Sequence, residues 1–175
     1  QNHEQLVQLR LHGMAQSYQS TLQLPVNKQP ESHEMLGALL QAELQHRQYQ
    51  RTTMLLRLGR LRYQASIEQI SCSPARNLTK GQLVQLADCS FIQRAENILI
   101  TGATGCGKSY LACALGNQAC LLGYKTLYLN MNRFCERITL SKLDGTYLKL
   151  LSQIEKVKLI ILDDFGLQPL DANIR

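Results

Sequence analysis

The chain has 175 residues, of which 45% are hydrophobic and 18% are charged, so it can bury a core and is typical of a globular protein. Its apolar runs fall well short of the ~20 residues that a membrane-spanning helix needs, and no signal-peptide pattern opens it, so we expect no membrane partner. The net charge of +6 favours an anionic partner such as nucleic acid.

Residues 1–66 are predicted to form a small all-α domain. Apolar side chains at helical spacing indicate one helix over residues 4–22, interrupted at Gly13, and a long helix that begins at Ser32. Gly59 is a weak point of the long helix, because glycine costs about 1 kcal/mol relative to alanine inside a helix. A connector rich in Ser, Pro and Gly follows, with a short helix over residues 80–89.

The long helix carries a basic stretch. No acidic residue occurs between Glu43 and Glu68, and five arginines lie in this interval: Arg47, Arg51, Arg57, Arg60 and Arg62. Because planar guanidinium groups can donate two hydrogen bonds to a phosphate, the stretch predicts DNA-backbone binding that weakens as salt rises. A solvated basic helix face is the alternative.

From residue 96 onward, strands are predicted to alternate with helices. Short apolar runs indicate strands over residues 97–102, 125–130 and 157–164, and a helix over residues 108–123 ends at Gly123. This alternation is typical of an α/β fold with a parallel sheet that is covered by helices on both faces.

Between the first predicted strand and its helix lies the sequence GATGCGKS, which matches the pattern G-x-x-x-x-G-K-[ST] of a phosphate-binding loop. Its glycines let the backbone bring N–H groups close to phosphate oxygens, and the following helix presents its positive end to the same anion. We therefore expect a nucleotide to contact residues 102–110, with Lys108 at the β- and γ-phosphates. The predicted contacts are Gly102, Ala103, Thr104, Gly105, Cys106, Gly107, Lys108, Ser109 and Tyr110.

The third predicted strand ends in two adjacent carboxylates, Asp163 and Asp164. Ligands of open α/β sheets bind at the carboxyl ends of the strands, so these acids are expected to face the glycine-rich loop. Asp163 and the Ser109 hydroxyl would then hold Mg²⁺, and Asp164 would orient or polarise the attacking water. Alternatively, Asp164 only caps the following turn.

The six cysteines form no C-x-x-C pair, and no histidine cluster accompanies them. We expect reduced thiols in a cytoplasmic protein, without a disulfide framework and without zinc. Three of them recur every seven residues and are predicted to pack near one helical face: Cys106, Cys113 and Cys120.

Several segments together resemble the IstB-type transposition helper ATPases, which belong to the AAA+ class and are related to the DnaC-type helicase loaders. They are the loop GATGCGKS, the segment LIILDDFGLQPLD, the segment ADCSFIQRAENILITG, and LRLHGMAQSY near the amino terminus. The loop alone would indicate only an NTPase, whereas the aspartate pair followed by Phe165 and Gly166, with the amino-terminal segment, narrows the likeness to this family.

The resemblance implies an ATP-dependent DNA-binding protein that oligomerises on duplex DNA and helps a partner transposase to select its target. It implies a P-loop NTPase (AAA+) domain over residues 67–175, with Lys108, Asp163 and Asp164 as catalytic residues and with Phe91 and Ile92 near adenine. Many AAA+ proteins have Glu as the second acid, so the shorter Asp164 predicts slow hydrolysis. The sensor residue and the arginine finger of the family lie beyond Arg175, so we expect a domain truncated at its carboxyl-terminal side.

Two alternatives remain open at this point. A DnaC-like helicase loader would share the ATPase domain but would use its amino-terminal part to grip a replicative helicase. A non-hydrolysing scaffold would bind ATP only as a signal for assembly on DNA.

Overall fold

The computed structural model describes residues 1–167, which form two compact units, one of residues 1–53 and one that begins at Met54. Residues 168–171, the end of the segment LIILDDFGLQPLD, lie outside the described residues. No helix within residues 1–167 combines the length and the apolar character needed to cross a membrane.

The first unit is all-α, as predicted. Its helices are α1 (Asn2–Gln8), α2 (His12–Leu22) and α3 (Ser32–Gly59), the last of which continues into the second unit. The predicted interruption at Gly13 is wrong, because the chain breaks at Arg10, which adopts a left-handed backbone with φ of 60°. Gly13 lies instead within the first turn of α2.

Helices α2 and α3 approach each other closely at Gly13. A Cβ atom at this position would lie 2.5 Å from the carbonyl oxygen of Ala42, which is closer than atoms can pack. The carboxylate of Glu43, only 6% exposed, accepts hydrogen bonds from the backbone N–H groups of Gly13 (2.8 Å) and Met14 (3.2 Å). Glu43 therefore satisfies free donors at the start of α2, and Arg47 pairs with its other oxygen at 2.8 Å.

Replacing Gly13 with alanine should lower the free energy of unfolding of the first unit by about 1–3 kcal/mol, because the new methyl group would overlap the backbone of α3. Chemical denaturation measures this change. Gly37→Ala is the matched control, since a Cβ there meets nothing within 4 Å and alanine favours the helix. Equal destabilisation by the two variants would contradict the close approach.

The second unit begins within α3 rather than after residue 66, where the sequence places the boundary. Helix α3 ends at Gly59, and Arg60 follows with a left-handed φ of 50°. Ala65 is fully buried in one cluster with Cys113 and Ala114, and Leu61 packs against this cluster. These contacts attach residues 61–65 to the α/β core. The boundary in the structure therefore lies earlier in the chain than the boundary predicted from the sequence.

The α/β fold predicted from the sequence is confirmed in the second unit. Its remaining elements are α4 (Lys80–Ala87), α5 (Ser90–Gln93), α6 (Lys108–Leu121), β1 (Thr126–Asn130), α7 (Met131–Leu143), α8 (Tyr147–Glu155) and β2 (Leu159–Asp163). Strands β1 and β2 pair in parallel, with Asn130 opposite Asp163. Helix α6 packs on both strands, and a Cβ at Gly116 would lie 2.7 Å from the Ile161 side chain.

The predicted strand over residues 97–102 is wrong for the described residues. This run forms no ladder with β1 or β2, which pair with each other, and its Leu99 side chain is 80% exposed. An apolar run becomes a strand only when its backbone groups find a partner. Within residues 1–167 the sheet therefore has two strands and not three.

The three regularly spaced cysteines separate into two groups. Cys113 and Cys120 are fully buried in α6, where small apolar side chains let the helix pack closely on the sheet. Cys106 precedes the helix and is exposed in the glycine-rich loop. The prediction of a packing role is confirmed for the first two residues and is wrong for Cys106.

Candidate nucleotide-binding site

The glycine-rich loop, residues 102–107, leads directly into the amino terminus of α6. Gly105 and Gly107 adopt left-handed backbones with φ of 81° and 94°, which residues with a Cβ rarely adopt. Helix α6 has 14 residues, and the free N–H groups of its first turn attract an anion. The local conformation therefore suits the binding of phosphate groups.

Lys108, the first residue of α6, folds back over this loop. Its ammonium group donates hydrogen bonds to the carbonyl oxygens of Gly102 (3.0 Å) and Ala103 (2.8 Å). These exposed contacts are weak, so the ammonium can exchange them for phosphate oxygens at low cost. The lysine is thus held beside the loop in a position to receive an anion.

The next residue links the loop to the acidic end of β2. The Ser109 hydroxyl donates a hydrogen bond of 2.8 Å to Asp163, which also accepts bonds from the Tyr128 hydroxyl and from the backbone N–H of Asp164. The guanidinium of Arg62 lies 3.5 Å from the same carboxylate. Asp163 therefore faces the end of the glycine-rich loop, as the sequence predicts for this acid.

These donors decide the charge of Asp163. Burial alone would raise the pKa of its carboxyl group, but the hydrogen bonds from Tyr128 and Ser109, together with the positive charge of Arg62, lower the pKa below its ordinary value. Burial and the hydrogen bond to Asp163 raise the pKa of Tyr128, so this hydroxyl remains a donor. Asp163 is accordingly an anion near neutral pH.

Asp164 occupies a separate environment from its neighbour. Its backbone is left-handed, with φ of 60°, and its carboxylate accepts a hydrogen bond of 2.7 Å from the side chain of Asn130. Asn130 ends β1 directly beside the end of β2, so the parallel register places the two side chains together. This arrangement directs the two carboxylates to different partners.

The Ser109 hydroxyl and the Asp163 carboxylate fit the requirements of Mg²⁺. Both are hard oxygen ligands within hydrogen-bonding distance of each other, and Mg²⁺ in nucleotide sites usually takes one or two protein oxygens and completes its shell with phosphates and water. Within residues 1–167 no group of three or more His, Cys, Asp or Glu side chains could hold a metal without a nucleotide. The donor set therefore suits a metal that arrives with phosphates.

Other residues predicted to contact nucleotide differ in their surroundings. Ala103, Thr104 and Cys106 are exposed in the loop. The Tyr110 hydroxyl donates a hydrogen bond of 2.6 Å to Gln69, so this polar group already has a partner within the protein. Phe91 is 5% exposed and packs with Ala119.

The five arginines predicted to contact DNA are divided between the two units. Arg47 is engaged with Glu43 in the first unit, and Arg51 is exposed there. Arg57, Arg60 and Arg62 lie in the second unit and are exposed. The structure thus assigns two of the five, Arg47 and Arg62, to contacts with carboxylates.

Sequence reasoning missed Tyr128 and Asn130, which contact the two aspartates. The sequence could have indicated these contacts, because both residues lie on the predicted strand that pairs with the strand ending at Asp163. Alternation along β1 places Tyr128 and Asn130 on the same face. The contact of Arg62 with Asp163 had no such signal, since 101 residues separate the two in sequence.

A glycine-rich loop that opens a helix, with a Lys-Ser pair opposite an aspartate at the end of a parallel strand, defines a P-loop nucleotide-binding domain. The chain belongs to the family of IstB-like ATP-binding proteins, whose family model matches residues 4–175.

Two relatives show how far the likeness extends. A presumed ATP-binding protein of insertion sequence IS1162 from Pseudomonas fluorescens is 40% identical over 172 residues, which cover 98% of this chain and 74% of the relative. The insertion-sequence ATP-binding protein y4pL of Sinorhizobium fredii is 34% identical over 172 residues, or 98% of this chain and 70% of the relative. The similarity therefore includes both units.

Proposed function

We propose that the chain is the ATP-dependent DNA-binding helper of a transposition system, which binds Mg²⁺ and ATP, assembles on duplex DNA and cooperates with a transposase in choosing the target. The observation that carries the proposal is the 2.8 Å contact between Ser109, at the phosphate-binding loop, and Asp163, at the end of β2. This contact supports the proposal because it brings together the two side chains to which the proposal assigns Mg²⁺.

In this proposal each residue of the site has a separate task. The loop glycines and the first turn of α6 bind the β- and γ-phosphates, and the Lys108 ammonium leaves the carbonyls of Gly102 and Ala103 to pair with them. Ser109 and Asp163 would hold Mg²⁺, which would supply positive charge against the phosphates. Tyr128 orients the Asp163 carboxylate by donating to it.

Hydrolysis is assigned to Asp164. Its carboxylate accepts a hydrogen bond from Asn130, which lies opposite Asp163 at the edge of the sheet where the phosphates would lie. From there it accepts a hydrogen bond from a water molecule and orients that water for attack on the terminal phosphate.

The DNA and transposase partners are inferred from the relatives and from the charge. The relatives are named after insertion sequences, and the chain has a net charge of +6. Association with a transposase and self-association on DNA follow from the family resemblance. Capture by a transposase rather than by a replicative helicase would separate this function from that of a helicase loader.

Replacing both Arg57 and Arg60 with alanine should weaken binding to duplex DNA by about 10-fold at moderate salt, because two exposed cations would be lost. The slope of log affinity against log salt should fall by about 2. Fluorescence anisotropy with a labelled duplex, repeated over a salt series, measures both quantities.

The matched control removes the same charge elsewhere. Arg76 and Lys80 are exposed and lie outside the basic stretch, so their double alanine variant should bind DNA nearly as the wild type does. If both double variants lose the same DNA affinity, the loss reflects only the lower net charge of the protein. Arg57 and Arg60 would then not form the DNA-binding surface.

A further inference from the structure

A second site, which we call the arginine cleft, lies beside the aspartate pair in the second unit. It has a volume of about 650 Å³, and four arginines line it: Arg60, Arg62, Arg133 and Arg137. Arg60 and Arg62 lie in the segment that follows the long helix, and Arg133 and Arg137 lie on helix α7. Residues distant in sequence therefore converge on one concave surface.

The protein balances the positive charges of the arginine cleft only in part, since Arg62 pairs with Asp163. Asp164 is the one carboxylate among the lining side chains of the described residues, and it already accepts a hydrogen bond from Asn130. Arg137 donates to the neutral Gln153, and within residues 1–167 neither Arg60 nor Arg133 forms an ion pair. Like charges that converge in this way repel one another until an anion enters between them.

We propose that the arginine cleft binds backbone phosphates of nucleic acid and that Arg62 couples this binding to Mg²⁺–nucleotide binding at Asp163. The proposal rests on the function proposed above and adds Arg133 and Arg137 to the DNA-binding residues. Guanidinium forks suit phosphate oxygens, and the exposure of all four side chains leaves the cleft open to a polymer.

Arg62 couples the two sites because it belongs to both. It lines the arginine cleft, and its guanidinium lies 3.5 Å from the carboxylate of Asp163. A cation held by Asp163 and Ser109 would repel this guanidinium, and a phosphate in the cleft would attract it. Since both ligands favour the same displacement of Arg62, each strengthens the binding of the other, and the coupling is reciprocal.

The first experiment tests the arginine cleft with a labelled DNA duplex as the probe. The double variant Arg133→Ala and Arg137→Ala should bind the duplex about 10-fold more weakly than the wild type, with a salt slope smaller by about 2. Its affinity for a nucleotide without DNA should remain that of the wild type. The double alanine variant at Arg76 and Lys80 is the control for net charge, and equal losses in the two variants would overturn the cleft assignment.

The second experiment tests the coupling through Arg62. A non-hydrolysable ATP analogue with Mg²⁺ should raise the affinity of the wild type for the duplex by about 10-fold, within the usual range for coupled sites. Arg62→Gln should bind the duplex more weakly than the wild type, because one cation of the cleft is lost. Addition of the analogue with Mg²⁺ should no longer raise this affinity. Full enhancement in Arg62→Gln would overturn the role of Arg62.

The outcomes also separate this proposal from the proposed function. If the wild type binds no duplex, both fail, whereas normal wild-type binding with an unaffected Arg133 and Arg137 variant overturns the cleft alone. If the wild type binds two nucleotides per chain and that variant binds one, the cleft takes free nucleotide, and its assignment to nucleic acid is overturned.

Discussion

Replacing Lys108 with alanine should reduce the affinity for ATP by about 100-fold or more, because the variant loses the ammonium that pairs with the phosphates. The ammonium lies at the loop, 2.8 Å from the Ala103 carbonyl. Isothermal titration with ATP and Mg²⁺ measures the loss directly.

The fold should survive this change, because the two hydrogen bonds that Lys108 makes are exposed and contribute little to stability. A thermal unfolding midpoint near that of the wild type would show this. Lys149→Ala is the matched control, since this lysine is exposed on α8, and it should leave the affinity for ATP unchanged. ATP binding by the Lys108 variant at wild-type strength would refute the assignment of the loop.

Replacing Asp164 with asparagine should slow ATP hydrolysis by about 100-fold or more, the usual loss when a group that accepts a proton or orients water is removed. The side chain keeps its size, and its amide oxygen can still accept the hydrogen bond from Asn130. The affinity for ATP should therefore stay within a few-fold of the wild type. Phosphate release and nucleotide titration, measured on the same preparation, separate the two effects.

Glu136→Gln is the control for the loss of one negative charge, because Glu136 is exposed on α7. It should hydrolyse ATP at the wild-type rate. Unchanged hydrolysis in Asp164→Asn would leave Asp164 with only the structural role of shaping the turn after β2. If the wild type itself binds ATP without releasing phosphate, nucleotide serves only to drive assembly on DNA.

Local patterns predicted most elements of the second unit. Residues 108–123 were predicted as a helix that ends at Gly123, and α6 covers Lys108–Leu121 with Gly123 left-handed at φ of 88°. Strand β2 was predicted to end in the aspartate pair, and it covers Leu159–Asp163. These predictions succeed because helical and strand periodicity and glycine termination are properties of neighbouring residues.

The errors arose where a distant partner decides the local structure. Residues 97–102 have the composition of a strand, yet no neighbour within the described chain pairs with them. Glycine often breaks a helix, yet Gly13 lies inside α2. A glycine stands there because the backbone of Ala42 leaves no room for a side chain. In both cases the local sequence pattern includes the residue itself but not the distant residue that contacts it, or fails to pair with it, in the folded chain.

The sequence by itself determined the chemistry of the nucleotide site, since the loop with Lys108 and Ser109 and the acids after the strand are each specified within a few consecutive residues. Only the tertiary structure decided which groups surround Asp163 and Asp164, because Arg62, Tyr128 and Asn130 reach them through the packing of separate elements. The physical reason is range: backbone conformation depends on adjacent residues, whereas hydrogen bonds and charge pairs depend on distance in space, which only the folded chain sets.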